Sequence, residues 1–290
     1  MLGEEHLRHL ITDEQRQRFE ADGYLRVPGA LSPALVAELL ALVDQIYAEH
    51  RQRGFDPYTG KAFAPKRAFF FPNFLPRDQR FVNLLDWPPI LPLMWGLLGW
   101  NIYNYHTHLI VTPPRDPGDP QTARLNFHQD SGRVNQELES SPRPRLSIKV
   151  AYWLTDLSVP GRGNLYVIPG SHLHDRIELP ADDQLAQGIL PADAVPICCA
   201  PGDAVVFDRR IWHAASPNDS DMTRKALFYG YGYRWLRPKD DMTISQEMLA
   251  RNDPIRRQLM GDGVDANGHF SPTDADVPLK GWLAANGLPV

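Results

Sequence analysis

The 290-residue sequence has few of the features that mark a secreted, membrane-spanning or disulfide-linked protein. It contains only two cysteines, Cys198 and Cys199, and because they are adjacent they are poorly placed for an ordinary disulfide bridge. This usage favours a reducing compartment. The best apolar run, residues 89–100, is interrupted by prolines and glycines and is shorter than the roughly 18 residues that span a bilayer. We therefore expect a cytoplasmic protein without a membrane span.

The charge balance and the N-terminus exclude two further classes. The formal net charge is −5, which provides no basic stripe for a nucleic-acid partner. Residues 1–6 carry two acidic side chains and no apolar core, so they do not resemble a secretory signal. A chain of this length forms one large domain or two small ones. We expect a single domain over residues 1–290, with its core at about 12–236 and a C-terminal extension at 237–290. The sequence does not indicate an oligomeric state.

Helical patterns in the first part of the chain give way to many short strands. Apolar residues recur every three or four positions over residues 35–47, which predicts an outer-layer helix that begins at Ser32-Pro33. Segments rich in β-branched and aromatic residues then alternate with Pro-Gly turns. These segments are residues 145–155, 164–168, 194–199, 204–207 and 225–235. The pattern predicts a mainly β fold with added helices, a sandwich or a jelly-roll barrel.

One short stretch, residues 126–130, indicates metal chemistry. His128 and Asp130 lie two positions apart, so on extended backbone both side chains leave the same face and can share one ion. His213 is the candidate third ligand. Two histidines and one carboxylate form the facial triad that leaves positions open on Fe(II) in non-haem oxygenases. An isolated His-x-Asp pair is more often a surface pair in a loop, so this interpretation depends on the motifs around it.

Further motifs lie in a consistent order on both sides of His128. They are Phe19-x-x-x-Gly23-Tyr24-Leu25-x-Val27-Pro28, His106-Thr107-x-Leu109-Ile110, Val167-Ile168-Pro169-Gly170-Ser171-His172, Pro201-Gly202-Asp203, Asn218 and Arg224. Together with the metal motif they resemble the phytanoyl-CoA dioxygenase family of Fe(II)/2-oxoglutarate-dependent oxygenases, over roughly residues 12–236. The resemblance implies a double-stranded β-helix, which is a jelly roll with helices outside, and this agrees with the strand pattern.

The resemblance also implies an enzyme with Fe(II) as cofactor and with 2-oxoglutarate and O2 as cosubstrates. His128, Asp130 and His213 would hold the iron, and 2-oxoglutarate would bind it through the keto oxygen and one carboxylate. The second carboxylate needs its own partner, and a guanidinium can hold it with two parallel hydrogen bonds. Arg224, eleven residues after His213, matches the family position for this partner.

Four other residues are candidates for contact with 2-oxoglutarate by the same resemblance. Trp153, His108 and Asn73 fall where the family contacts it, and Gln129 lies between two metal ligands. Three of them have an open alternative from the residues themselves. Trp153 fits plain core packing, His108 fits hydrogen-bonded packing beside His106, and Gln129 fits an orientation away from the cosubstrate.

The sequence departs from the family pattern directly after the metal motif, where Ser131-Gly132-Arg133 replaces a common aromatic residue. Arg133, Arg234 and Arg237 would give the pocket mouth a positive side suited to an acidic or carboxylated substrate, although solvated arginines explain the pattern equally well. Family membership does not fix the substrate. We expect a small molecule that the sequence does not name.

The predicted reaction is hydroxylation of an unactivated C–H bond, with succinate and CO2 as co-products. Desaturation or cyclisation would use the same site. A halogenase is disfavoured because its metal-binding carboxylate is usually replaced by Gly or Ala, whereas Asp130 is present. The alternative from another class is a non-catalytic jelly-roll protein that binds a metal or a ligand. It predicts that iron and 2-oxoglutarate do not bind together, which the combination of His128, Asp130, His213 and Arg224 disfavours.

Overall fold

β-strands form the centre of the protein and helices surround them in the computed structural model, which describes residues 2–57, 59–116, 118, 125–240, 244–263 and 267–290. The strands within these ranges are β1 (Tyr24–Val27), β2 (Phe55–Asp56), β3 (Lys61–Ala62), β4 (Phe69–Pro72), β5 (Ile102–Thr112), β6 (Ser147–Trp153), β7 (Leu165–Val167), β8 (Val195–Pro196), β9 (Ala204–Asp208), β10 (His213–Ala215) and β11 (Arg224–Tyr233). The helices are α1 (Glu4–Leu7), α2 (Asp13–Asp22), α3 (Pro33–Arg53), α4 (Gln79–Asn83), α5 (Leu91–Leu98), α6 (Gly132–Glu137), α7 (Asp182–Ala186), α8 (Gln246–Ala250), α9 (Pro254–Leu259), α10 (Asn267–Phe270) and α11 (Pro278–Ala285).

Two antiparallel sheets carry the fold. The larger sheet has six strands in the order β1-β9-β6-β11-β5-β4, and the smaller has three in the order β10-β7-β8. The long strands β5 and β11 pair from Arg224 opposite Thr112 to Tyr233 opposite Ile102, with one register shift between Gly230 and Tyr231. The prediction of a mainly β protein with added helices is confirmed. The described strands form these two open sheets and a separate two-stranded pair, β2-β3, and none of the three closes into a barrel.

One face of the larger sheet packs against the helices. Alternate residues of each strand point to this face because successive side chains of a strand leave opposite sides of a sheet. Members of the resulting core are Leu109, Val150, Tyr152, Val206, Leu227 and Tyr229. The helix predicted from residues 35–47 is α3, which begins after the N-cap Ser32 and buries Val36, Leu39, Val43 and Ile46. None of the described helices is both long and apolar enough to cross a membrane.

The opposite face of the larger sheet packs against the smaller sheet. Residues at the alternate positions of β6, β9 and β11 meet Leu165 and Val167 of β7 in a second apolar cluster. The residues contributed by the larger sheet are Ala151, Trp153, Val205, Phe207, Ala226 and Phe228. Full burial of a side chain such as Phe207 or Val167 contributes about 1.5–3 kcal/mol. The space between the two sheets is therefore an apolar interior. A polar side chain buried there needs a partner or a functional role.

The segment after residue 236 packs against the rest of the chain. Ile255 and Leu259 of α9, with Leu279 and Leu283 of α11, belong to the same core cluster as the helix face of the larger sheet. Asp240 also hydrogen-bonds to β5, where it accepts from the backbone N–H of Thr107 at 2.7 Å. The predicted C-terminal extension thus contributes to the hydrophobic core, and the chain that leads into it contacts strand β5 through Asp240.

Candidate metal and cosubstrate site

The three predicted metal ligands meet at the edge of the smaller sheet. His128 forms an antiparallel bridge with His213, in which the backbone N–H of each donates to the carbonyl of the other at 2.9 and 3.0 Å. Asp130 lies two residues further and its N–H donates to the carbonyl of Arg209 at 2.9 Å. Each of the three ligand side chains offers one atom, and these atoms all lie within 4.8 Å of one another. The backbone pairing therefore brings the His-x-Asp motif and a histidine distant in sequence to one point.

Backbone carbonyls orient both histidine rings. Nδ1 of His128 lies 2.8 Å from the carbonyl oxygen of Asn126, and Nδ1 of His213 lies 2.9 Å from that of Ile211. A carbonyl only accepts, so Nδ1 carries the proton in each ring and Nε2 keeps the lone pair that a metal requires. Burial lowers the pKa of His213 to about 4, so this ring is neutral at neutral pH. Both rings are arranged as ligands by the protein itself.

The carboxylate of Asp130 is buried with one oxygen paired and the other unpaired. Oδ1 accepts from Nζ of Lys149 at 2.8 Å, whereas Oδ2 has no hydrogen-bond partner among the described residues and lies 3.9 Å from Nε2 of His213. Burial acts to raise the pKa of Asp130, but the charge and hydrogen bond of Lys149 together with the neighbouring His213 and His128 outweigh it and hold the pKa below its usual range. An unpaired buried acceptor costs about 1–3 kcal/mol. A cation between Oδ2 and the two imidazoles removes this cost, so the residues fit a metal ion.

Lys149 is a site residue that the sequence analysis did not identify. Lys149 lies on β6, on the same face as Ala151 and Trp153, and is only 6% exposed. The sequence feature that could have identified Lys149 is its place in the middle of a strand whose other residues are mostly apolar. A buried ammonium requires a partner, and the Lys149 side chain satisfies this requirement with Asp130.

Arg224, the first residue of β11, is a buried cation without an acidic partner among the described residues. It is 3% exposed, and its guanidinium carbon lies 5.0 Å from the centre of the Trp153 ring. Within the described ranges no carboxylate forms an ion pair with it, and its Nε has no hydrogen-bond partner. Burial lowers the pKa of Arg224 to about 10, which leaves it charged at neutral pH. A buried charge without a counter-ion costs several kcal/mol, so this position fits an anionic ligand.

One cavity of about 220 Å³ joins the cation site to the anion site. The three metal-ligand candidates, Lys149 and Arg224 all line it. The rest of its lining is Phe70, His108, Ile110, Leu165, Phe207, Ala215, Phe228 and Lys239. A molecule with a metal-chelating end and a distant carboxylate has complementary groups at both ends of this space. The residues therefore fit 2-oxoglutarate as well as iron.

His108 lines the cavity and is held tightly. Its ring is stacked between Phe70 and Phe228, with centroid distances of 4.5 and 4.6 Å. Its Nδ1 lies 2.7 Å from Nε2 of His106, whose Nδ1 contacts the carboxylate of Asp240. Burial lowers the pKa of both rings, and in their neutral forms His106 donates to Asp240 and His108 donates to His106. The remaining nitrogen of His108 is then an acceptor, which suits a hydroxyl group or water better than a carboxylate.

The other three candidates for 2-oxoglutarate contact do not line the cavity. Trp153 is fully buried and contacts Arg224. The side-chain amide of Gln129 donates to the carbonyls of Arg210 and His174, which corresponds to the orientation away from the cosubstrate. Asn73 follows β4 with a positive φ of 49°, and its buried Oδ1 has no partner among the described residues. Contact of these residues with 2-oxoglutarate stays a prediction.

The two arginines proposed for substrate contact lie in different surroundings. Arg133 is exposed on α6 and pairs with Glu137 at 2.6 Å. Arg234 is 3% exposed, and its Nη1 donates to the carbonyl of Asp276 at 2.7 Å. Arg234 is therefore not at the pocket mouth, where its sequence position suggested, because the segment after residue 236 covers it.

Sequence comparisons place the chain among oxygenases. The family model for phytanoyl-CoA dioxygenase (PhyH) matches residues 19–226. The protein Rv1501 of Mycobacterium tuberculosis, described as uncharacterised, is 29% identical over 70% of this chain and 72% of its own length. Dioxygenase af480 of Aspergillus fumigatus is 26% identical over 87% of this chain and 77% of its own length.

A solved structure with the same fold supports the topology. The non-haem alpha-ketoglutarate-dependent carbocyclase SnoK from nogalamycin biosynthesis aligns with a TM-score of 0.58 and 22% identity. The alignment covers 88% of this chain and 94% of SnoK. At this identity the similarity concerns the fold, and the predicted jelly-roll class is confirmed.

Proposed function

The chain belongs to the phytanoyl-CoA dioxygenase family, and on this premise we propose that it is an Fe(II)- and 2-oxoglutarate-dependent dioxygenase that hydroxylates a C–H bond of a small molecule. One observation carries the proposal. A single cavity contains an unpaired carboxylate oxygen facing two metal-ready imidazoles, and also a buried guanidinium without a counter-ion. A metal ion alone would pair only with the carboxylate oxygen and the imidazoles. A metal ion with a chelating dicarboxylate would also pair with the guanidinium.

The metal ligands would be Nε2 of His128, Nε2 of His213 and Oδ2 of Asp130. When bound together, iron and 2-oxoglutarate supply an oxidative decarboxylation that gives succinate and CO2 and couples it to oxidation of the substrate. Lys149 holds the other oxygen of Asp130, which leaves one oxygen for the metal and keeps the carboxylate from turning. Arg224 would pair with the distal carboxylate of 2-oxoglutarate through two charge-assisted hydrogen bonds.

The remaining walls of the cavity exclude water and fix orientation. Phe70, Phe207 and Phe228 give it apolar surfaces, so charges inside it are weakly screened. Trp153 acts through Arg224, because its ring lies beside the guanidinium and limits where that group can point. Among the four residues expected to contact 2-oxoglutarate besides Arg224, His108 is the one that lines the cavity.

Hydroxylation is favoured over halogenation because Asp130 occupies the coordination position that a halide would need. Desaturation and cyclisation would use the same ligands and remain alternatives within the family. A non-catalytic binding protein is the alternative from another class. Such a protein would not need three metal-ligand candidates in the same cavity as a buried arginine that has no acidic partner among the described residues.

An anaerobic titration tests the proposal. The protein is loaded with Fe(II) and titrated with 2-oxoglutarate while the visible metal-to-ligand charge-transfer band of the chelate is recorded. We expect a band that saturates at one equivalent of 2-oxoglutarate per chain and that is absent with succinate. A protein that binds Fe(II) but gives no band on addition of 2-oxoglutarate would contradict the proposed cosubstrate.

A further inference from the structure

A second pocket, of about 470 Å³, lies beside the metal cavity, and neither the metal-ligand candidates nor Arg224 line it. Ser131, which directly follows the ligand Asp130, forms part of its wall. Lys239 lines both the pocket and the metal cavity. A molecule bound in the pocket would therefore lie next to the proposed iron. Its volume is within the range of about 300–1,000 Å³ that is usual for small-molecule sites.

The wall of this pocket is largely apolar. Val134 of α6, Leu146 before β6 and Leu236 after β11 contribute aliphatic surface, and Tyr105 contributes an aromatic ring. The hydroxyl of Tyr105 already accepts from the side chain of Ser147 at 3.1 Å. The ring of Tyr105 gives the pocket an aromatic surface suited to packing against a ligand. Such a wall binds a hydrophobic body through the area removed from water.

The charges of the pocket have one sign. Its lining includes Arg133, Arg237 and Lys239 and no acidic residue, in a chain whose net charge is −5. Arg133 is already paired with Glu137. Within the part of the chain that the structure describes, neither Arg237 nor Lys239 forms an ion pair with a carboxylate. A cationic, apolar pocket is complementary to an anion with a hydrophobic body.

The nearest acidic residue in sequence does not neutralise Lys239. The carboxylate of Asp240 is engaged by His106 and by the backbone N–H of Thr107. The other cation near the metal, Lys149, pairs with Asp130. Arg224 is reserved for 2-oxoglutarate under the proposed function and does not line this pocket. Among the described residues of the pocket, Lys239 and Arg237 are therefore the cations without a carboxylate partner that could pair with a second anion.

We propose that this pocket binds the organic substrate and that the substrate is an amphipathic organic anion. Its apolar body packs against Val134, Leu146 and Leu236, and a carboxylate or similarly charged group pairs with Lys239 and Arg237. That the bound molecule is then oxidised rests on the proposed function, whereas binding itself requires neither iron nor 2-oxoglutarate.

Two fluorescent probes that differ in one charged group test this assignment. 1-Anilinonaphthalene-8-sulfonate has an aromatic body and a sulfonate, and N-phenyl-1-naphthylamine is the same body without the sulfonate. Both are titrated into the metal-free full chain. We expect the sulfonate to bind more tightly. The double variant Arg237→Gln/Lys239→Gln should weaken its binding about tenfold or more, because it removes charge-assisted contacts, and change binding of the neutral probe less than about twofold.

Two further variants test whether the loss of probe binding comes from this pocket. Arg51→Gln/Arg53→Gln removes the same charge from the exposed end of α3 and should leave the binding of both probes unchanged. Val134→Asp places an acid in the apolar wall and should weaken both probes, and the sulfonate more. Equal binding of the two probes to the wild type, or no response of the sulfonate to Arg237→Gln/Lys239→Gln, would overturn the assignment.

The outcomes separate this proposal from the proposed function. If wild-type protein gives no charge-transfer band with iron and 2-oxoglutarate but the probes respond as expected, the pocket assignment stands and the oxygenase chemistry falls. If the band forms and the probes do not distinguish the variants, the pocket assignment falls alone.

Discussion

The metal cavity and the apolar pocket beside it share Lys239 but are built differently. Three polar groups of the cavity come from paired strands of two sheets, with Lys149 on β6, His213 on β10 and Arg224 on β11. Strand neighbours on both sides fix Lys149, the bridge to His128 and the pairing with Val167 fix His213, and Thr112 of β5 pairs with Arg224. The pocket has one wall from the beginning of β6 and the middle of β5, but the others come from α6 and from the segment after β11. Under the two proposals, the groups for the chemistry are held mainly by the sheets, whereas much of the substrate pocket comes from connecting segments.

The largest effect is expected from the metal ligands. Asp130→Ala should abolish both the charge-transfer band and succinate formation, because it removes the carboxylate and leaves Lys149 as an unpaired buried cation. Asp183→Ala, which removes an exposed carboxylate on α7, is the matched control and should leave both unchanged. Turnover that survived Asp130→Ala would mean that the cavity has a different set of ligands.

A large and selective effect is expected from Arg224→Ala. Loss of one partner of a buried ion pair costs about 3–5 kcal/mol, so the concentration of 2-oxoglutarate needed for half-saturation should rise at least about a hundredfold. The affinity for Fe(II) should change little, because Arg224 does not contact the metal ligands. Arg224→Lys should restore only part of the binding, since an ammonium lacks the two-pronged geometry of a guanidinium. Equal losses of iron and 2-oxoglutarate binding would indicate a general collapse of the cavity.

A smaller effect is expected from Lys149→Met. Removal of a group that orients a metal ligand typically lowers metal affinity about 10–100-fold, and Oδ1 of Asp130 would lose its hydrogen-bond donor. Fe(II) binding, measured by anaerobic titration, should weaken, and the position of the charge-transfer band should shift because the carboxylate can turn. Lys61→Met, at an exposed lysine, controls for the loss of charge. A band of unchanged position with unchanged iron affinity would show that Lys149 does not position Asp130.

The smallest effect is expected at the connecting segments. Val134→Ala should change the free energy of unfolding by no more than about 0.5 kcal/mol, as is usual for a partly exposed surface position; Val134 is 41% exposed. The charge-transfer band should be unchanged. Binding of the anionic and neutral probes should weaken by similar small factors. Loss of the band in Val134→Ala would contradict the separation between the two regions.

The sequence predicted the framework of the cavity because its motifs reflect strand geometry. His-x-Asp follows from the two-residue period of extended backbone, whereas Arg224 was assigned by its family position eleven residues after His213. The same period explains why His106 and His108 share a face. A lysine inside the apolar strand β6 was visible in the sequence, but its partner Asp130 is nineteen residues away and belongs to another segment. Only the pairing of β6 with its neighbours brings the two together.

The pocket could not be predicted in the same way. Lys239 reaches the cavity and Asp240 reaches His106 because the chain after β11 turns back over β5, where the backbone N–H of Lys239 donates to the carbonyl of Tyr105 at 2.9 Å. No local pattern in the sequence encodes this return. Arg234 is the opposite case. Its charge led us to predict a place at the pocket mouth, but the segment that contains Asp276 covers it.

A crystal structure of the protein grown anaerobically with Fe(II) and 2-oxoglutarate tests the central claim most directly. The account predicts one iron bound by Nε2 of His128, Nε2 of His213 and Oδ2 of Asp130, with the keto acid on the metal and its far carboxylate paired with Arg224. Iron bound elsewhere, or 2-oxoglutarate absent from Arg224 while iron occupies the three ligands, would contradict it.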